Sequence, residues 1–309
     1  MDQVVDLTVL PEYNGVRVDK FLATVLRDQY SRVRIQKAIL DGGLTINGVI
    51  VPQPRTCVHA GDRCRLEIVP TEEVRLKPSQ SALDILYEDN DLLVVNKPAG
   101  QVVHYGNGIE QGTTLVEAVL AHCPLSTAAG ALRPGVVHRL DQATSGVMLF
   151  AKTDVAYREL TRMFAERRIR KTYYAFVHGI PKLHSGIVDA PIGRSTHDRT
   201  SMCVTTRGRP AVTHWECIEA FPNVNQALLV CRPITGRTHQ IRVHLKHIGH
   251  PIVGDEKYGK KENPQSERLF LHAYQIEFEH PITKEKCLFK APLPKEFAEK
   301  RAGTEESGK

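Results

Sequence analysis

The segment from 136 to 153, Val-Val-His-Arg-Leu-Asp-Gln-Ala-Thr-Ser-Gly-Val-Met-Leu-Phe-Ala-Lys-Thr, constrains the chain most. Two apolar runs flank a short polar stretch. Residues 147–151 are short, apolar and bounded by Gly146 and Lys152, the pattern of a buried strand. Asp141 falls between the runs, close to Arg139, Thr144 and Ser145. A carboxylate beside buried strands is costly unless it is paired or hydrogen-bonded. A turn in which the Asp caps its own backbone would meet that need without any chemistry.

A chain of 309 residues suggests one large domain or two unequal ones, and 41% hydrophobic residues suffice for a sizeable core. The net charge of +6 fits a nucleic-acid or other polyanion binder, but becomes specific only where the charge clusters. The seven cysteines are odd in number and form no C-x-x-C pair. With no basic region followed by an apolar core at the N-terminus, reduced thiols in the cytoplasm are expected. No apolar run approaches the roughly 20 residues that span a bilayer, so no membrane partner is expected.

Val18, Phe21, Leu22, Val25 and Leu26 lie on one face of a helix over 16–26. Ser31 reads as the N-cap of a second helix running to Leu40, with Ile35 and Ile39 inward. Residues 44–51 form a hairpin around Asn47-Gly48, and a strand follows the Gly61-Asp62 turn. The expected division is a small module over 1–70, a linker over 71–82, a large domain over 83–295 and a charged tail over 296–309.

In the large domain, residues 83–100 hold two strands around an acidic turn and end in Asn-Lys-Pro-Ala-Gly. Thr114 and Glu117 have capping-box spacing. Asp154 is expected to cap a helix whose stripe is Ala156, Leu160, Met163 and Phe164, and which ends among Arg167, Arg168, Arg170 and Lys171. Residues 171–177 form a strand with Tyr173 on one face and Tyr174 on the other. Arg194 and Arg199 lie in a basic, mobile loop or hairpin. Thr238 is a candidate N-cap for a helix with Ile241, Leu245 and Ile248 on one side and Gly249 as its stop. His239, His244, His247 and His250 suggest a metal, but they lack a Cys or acidic partner at zinc spacing, so no metal is expected. No P-loop and no Gly-rich dinucleotide fingerprint is present.

These strings together resemble the RluA/RluD family of RNA pseudouridine synthases: Asn-Lys-Pro-x-Gly at 96–100, His-Arg-Leu-Asp-x-x-Thr-Ser-Gly at 138–146, Lys-x-Tyr-x-Ala at 171–175 and Gly-Arg-Thr-His-Gln-Ile-Arg at 236–242. Many members carry charged residues where this chain has Gln142 and Ala143. The first 70 residues look like the alpha-L RNA-binding domain of ribosomal protein S-four. The resemblance implies an α+β fold: a small helix–hairpin module, then a mixed, largely antiparallel sheet with flanking helices. It implies isomerisation of uridine to pseudouridine without a cofactor, with Asp141 as nucleophile, Tyr173 as the active-site tyrosine and Arg237 pairing with Asp141. RNA is the expected partner, contacted by Arg17, Arg32, Arg34, Lys37, Arg139, Arg170, Lys171, Arg194 and Arg199, and the protein is expected to be a monomer. Large-subunit rRNA is the expected target, with tRNA as the alternative. Two rivals of other classes are a non-catalytic ribosome-assembly factor and a hydrolase built on Ser145, His138 and Asp141. The second lacks the Gly-x-Ser-x-Gly elbow.

Overall fold

The computed structural model describes residues 3–27, 29–30, 32–68, 76–79, 81–106, 108–198, 200–259 and 268–306. The chain divides into two compact units, Met1–Val74 and Arg75–Lys309. In the small unit, β1 (Gln3–Thr8) precedes two helices, α1 (Val18–Val25) and α2 (Arg32–Leu40). The strands β2 (Leu44–Ile46), β3 (Val49–Ile50) and β4 (Arg63–Ile68) follow. The sheet order is β1-β4-β2-β3. The hairpin turns on Asn47 and Gly48, both at positive φ (53° and 83°), as a two-residue turn between twisted strands requires. β4 alternates exposed and buried residues, and its inner face meets Phe21, Leu22, Ile35 and Ile39 in one core. The Ser31 cap lies outside the described residues.

In the large unit, β5 (Ile85–Glu88), β6 (Leu92–Lys97), α3 (Leu115–His122), β7 (Ser145–Ala151), α4 (Asp154–Ala165) and β8 (Arg170–His178) come first. They are followed by β9 (Ser185–Asp189), the short pair β10 (Ile192–Arg194) and β11 (Met202–Val204), then β12 (Val212–Phe221) and β13 (Gln226–Pro233). The unit ends with α5 (Gln240–His247), β14 (Leu271–Glu279), β15 (Lys286–Lys290) and α6 (Lys295–Glu306). Among the described residues a nine-stranded sheet runs β5-β6-β7-β14-β8-β13-β12-β9, with β15 also paired to β14. The pairings are antiparallel except that of β7 with β14. This is the expected α+β, largely antiparallel architecture.

The parallel seam is short: only His272–Ser145 and Ala273–Gly146 are in register. It joins two cores. One gathers Leu93, Met148, Phe150, Val116 and Leu160 around β6, β7, α3 and α4. The other gathers Phe176, Leu229, Trp215 and Leu245 around β8, β13, β12 and α5. Gly146 sits at φ 119°, and a Cβ there would collide with the Ala273 carbonyl oxygen. Close approach of the two strands therefore needs glycine.

Three local expectations change. The N-cap of α4 is Thr153, whose hydroxyl accepts the Ala156 N–H, while the Asp154 carboxylate accepts a hydrogen bond from Ser126. Within the linker expected over 71–82, residues 76–79 are tied down. Leu76 joins the first core, and the N–H groups of Lys77 and Ser79 donate to buried Glu117. Residues 71–75 and 80 lie outside the described residues. The tail expected over 296–309 holds most of α6, and its Phe297, 3% exposed, packs its ring 5.7 Å from Phe176 and 5.2 Å from Phe270. The capping box at α3 forms as read, with Thr114 and Glu117 exchanging hydrogen bonds.

Candidate active site

Asp141 lies four residues before β7, in a turn closed by Thr144 N–H donating to the Asp141 carbonyl at 3.1 Å. The turn is pinned from below by Lys97, which is fully buried. Its ammonium donates to the carbonyls of Pro98, Gln101 and Gln142 at 2.8, 2.8 and 2.9 Å. Burial pulls Lys97 down to about 7, with the Asp141 charge opposing. Three converging acceptors suit an ammonium's three donors, so we regard it as the strut that fixes the loop carrying Asp141.

The arginine that meets Asp141 is Arg242, not Arg237. Arg242 Nη1 donates to Asp141 Oδ2 at 3.2 Å. Its other edge forms a two-pronged pair with Asp255 at 2.8 and 2.8 Å, and Asp255 Oδ1 also accepts the N–H groups of Lys257 and Tyr258. Burial works against the Arg242 charge, but Asp255 and Asp141 outweigh it and push the guanidinium up. The planar fork lets one arginine hold two carboxylates. The reason for the change lies in the helix start. α5 begins at Gln240 after His239, which is left-handed (φ 56°) and serves as N-cap without a side-chain bond. Arg242 is therefore in the first turn and turns inward. Arg237, before the helix, donates from Nε to the Pro210 carbonyl at 3.1 Å. Burial and the neighbouring Arg209 and Arg167 charges lower its pKa.

A cavity of about 550 Å³ opens in front of Asp141, lined among others by Arg139, Thr144, Lys171, Tyr173 and Arg237. Tyr173 faces it, as the strand phase implies. Burial and then the Asp141 charge push its phenol up. Tyr174, on the opposite face, packs edge-on against Tyr274 with centroids 4.9 Å apart. Lys171 at the cavity wall is drawn down to about 8 by burial. Thr144 Oγ1 is buried and has no hydrogen-bond partner among the described residues.

The remaining sequence candidates scatter. Arg17 and Arg32 both engage Asp19, Arg34 lies over the Tyr30 ring and Lys37 is exposed. Arg170 pairs with Glu277 at 3.0 Å, Arg194 is exposed on β10 and Arg199 lies outside the described residues. The hydrolase triad does not assemble. Ser145, 2% exposed, bonds His272 at 2.8 Å and accepts from Arg268, whereas His138 Nε2 accepts the Leu149 N–H. His244 bonds Thr213 and the Ala190 carbonyl. Among the described residues no group of three or more His, Cys, Asp or Glu side chains could hold a metal ion.

Residues 91–247 match the RNA pseudouridylate synthase family. The chain is 42% identical over 300 residues to a protein named uncharacterized RNA pseudouridine synthase YlyB of Bacillus subtilis (strain 168), covering 97% of each. It is 40% identical over 314 residues to ribosomal large subunit pseudouridine synthase D of Vibrio vulnificus, covering 97% of this chain and 94% of that one. Among solved structures, human RNA pseudouridylate synthase domain containing 1 superposes with a TM-score of 0.57 at 28% identity, over 70% of this chain and 85% of that one. The family match, the relatives and the superposition together define an RNA-modifying isomerase. The chain belongs to the RNA pseudouridylate synthase family.

Proposed function

We propose that this protein isomerises particular uridines of large-subunit ribosomal RNA to pseudouridine, with Asp141 as its nucleophile, acting as a monomer in the cytoplasm. The observation that carries the reading is the unequal state of the two Asp141 oxygens. Oδ2 is held by Arg242 at 3.2 Å, while among the described residues the nearest partner of Oδ1 is His239 Nε2 at 3.9 Å, and Asp141 lines the cavity. The names of the relatives support rRNA as the target. No described helix is long and apolar enough to cross a membrane.

The reaction breaks the bond between C1′ and N1, turns the base and joins C1′ to C5; the C5 proton leaves and N1 gains one. Reactant and product are isomers, so no electron acceptor or energy source enters the balance. The target uridine must leave its stack to reach the cavity, at a cost of about a few kcal/mol. Arg242 aims the carboxylate, Tyr173 offers the base a flat face and a hydroxyl, and the cationic wall of Arg139, Lys171 and Arg237 suits phosphates. The helices of the small unit, with Lys37 exposed, add affinity for structured RNA.

Mapping pseudouridine in rRNA and tRNA from cells with and without the protein tests this directly. Loss of defined large-subunit rRNA sites, restored by wild type but not by Asp141→Asn, is expected. Loss confined to tRNA would redirect the target, and an unchanged map would overturn the reading.

A further inference from the structure

His239 faces the cavity and has no part in the roles assigned above, yet its surroundings fix its orientation. It holds a left-handed backbone, φ 56° and ψ 21°, which a residue with a side chain adopts rarely and keeps only where its neighbours hold it. Tyr258 is that neighbour: His239 Nδ1 lies 2.7 Å from its hydroxyl. The same hydroxyl oxygen accepts the Met202 N–H at 2.9 Å. A phenol has one proton to give, and Nδ1 is placed to accept it. With Nδ1 as the acceptor, the ring proton sits on Nε2, 3.9 Å from Asp141 Oδ1. That gap is too long for a direct hydrogen bond, and it places a donor and the open carboxylate oxygen side by side at the cavity.

We propose that His239 is a catalytic residue whose Nε2–H donates a hydrogen bond to the uracil C2 carbonyl oxygen as the base departs. The proposal rests on the isomerisation reading above. When the C1′–N1 bond breaks, its electron pair leaves with the base and spreads from N1 onto the adjacent C2 oxygen. A donor fixed in advance at that oxygen stabilises the charge as it forms. The imidazole keeps its proton throughout; the pair returns to carbon when C5 bonds to C1′, and the C5 proton is replaced by one on N1. The role needs a neutral ring of fixed tautomer. Burial lowers the pKa of the imidazole; Asp141 opposes, Arg242 and Lys257 reinforce, and Asp255 opposes.

The test uses the full chain with an unmodified RNA transcript on which wild type is active, and measures single-turnover rate constants and RNA dissociation constants. His239→Asn tolerates the left-handed backbone and keeps an amide toward Tyr258, but lacks a donor at the Nε2 position; His239→Gln reaches further and restores one. The asparagine variant should lose ~10²–10³-fold in rate, the scale of one lost oxyanion donor, with RNA affinity and unfolding midpoint unchanged. The glutamine variant should recover at least about tenfold of that loss, a gain a packing role would not produce. Tyr258→Phe, which releases the tautomer, should fall between wild type and His239→Asn. A wild-type rate in His239→Asn would overturn the proposal. Equal losses in both His239 variants, accompanied by weaker RNA binding or an earlier unfolding midpoint, would also overturn it. An inactive wild type on rRNA and tRNA alike would instead bring down the isomerisation reading, and this proposal with it.

Discussion

Asp19 in the small unit and Asp141 in the large one are both held by arginine, yet only one of them keeps an oxygen to offer. Asp19 is fully buried. Its Oδ1 accepts from Arg17 Nε at 3.0 Å, and its Oδ2 accepts from Arg17, Arg32 and Gln36 at 2.9, 2.7 and 2.6 Å. Burial alone would raise its pKa, but Arg32, Gln36 and Arg17 outweigh that and hold the carboxyl at about 2. Among the described residues the Asp141 carboxylate has a single side-chain bond, from Arg242, and the guanidinium that makes it is itself anchored to Asp255. A carboxylate saturated with donors is a structural clasp; its lone pairs are occupied. A carboxylate given one donor, from a group that cannot move, is aimed but still reactive.

Four experiments break or sharpen this contrast, beginning with the largest effect. Asp141→Asn should lower turnover by roughly 10⁴-fold or more, as loss of a nucleophile does elsewhere, and cost only about 1 kcal/mol of stability because a single hydrogen bond is altered. Retained turnover in pure protein would remove Asp141 from the chemistry. Arg242→Met should abolish turnover and also destabilise by about 3–5 kcal/mol, because Asp255 is left buried with no counter-charge. Trp215 is the single tryptophan of the chain and lies in the large unit, so its fluorescence during denaturant unfolding reads this loss. A variant with Asp255→Asn added should regain stability but not activity.

Asp19→Asn should reverse the pattern: about 2–3 kcal/mol less stable through weakened charge-assisted bonds, with the single-turnover rate on bound RNA unchanged. Hydrogen exchange in α1 and α2 would report it. The sign with pH follows from the lowered pKa. The folded state favours the charged carboxylate, so the stabilisation is complete above the ordinary value of 3.8 and fades as pH falls through about 2. The gap between wild type and Asp19→Asn should therefore close on acidification, and a gap independent of pH would mean packing rather than charge. The smallest effect is expected for Arg237→Ala. It should leave stability within about 0.5 kcal/mol and reduce the slope of RNA affinity against salt by about one ion. A loss of stability like that of Arg242→Met would restore the pairing first expected for Arg237.

The parts of the site that were legible are those set by local period and motif. β7 was readable because a fully apolar run bounded by glycine and lysine has few other fates, and Tyr173 followed from two-residue alternation along β8. Arg242 was not readable. Two arginines stand five residues apart in one motif, and the choice between them depends on where α5 starts and how it docks against a turn some hundred residues earlier. Asp255 left a trace: a carboxylate one glycine after the apolar Ile252 and Val253 needs a buried partner, and Arg242 is that partner. Asp19 hid beside an apolar helix stripe, where a charge ordinarily reads as solvated. α6 hid because Phe297 is the single aromatic among charged neighbours, and its contacts lie on distant strands.

The glycine at the seam has a mechanical consequence. Asp141 leads into β7 and its core, whereas Arg242 and His239 belong to α5 and the other core. The two-residue contact of β7 with β14, which depends on the missing Cβ of Gly146, ties the strand that follows Asp141 to the half of the sheet packed on α5. Even alanine there would act as a wedge between β7 and β14. The approach of Asp141 to Arg242 thus rests in part on how closely two strands pack, and the atom that permits it is one the chain does not have.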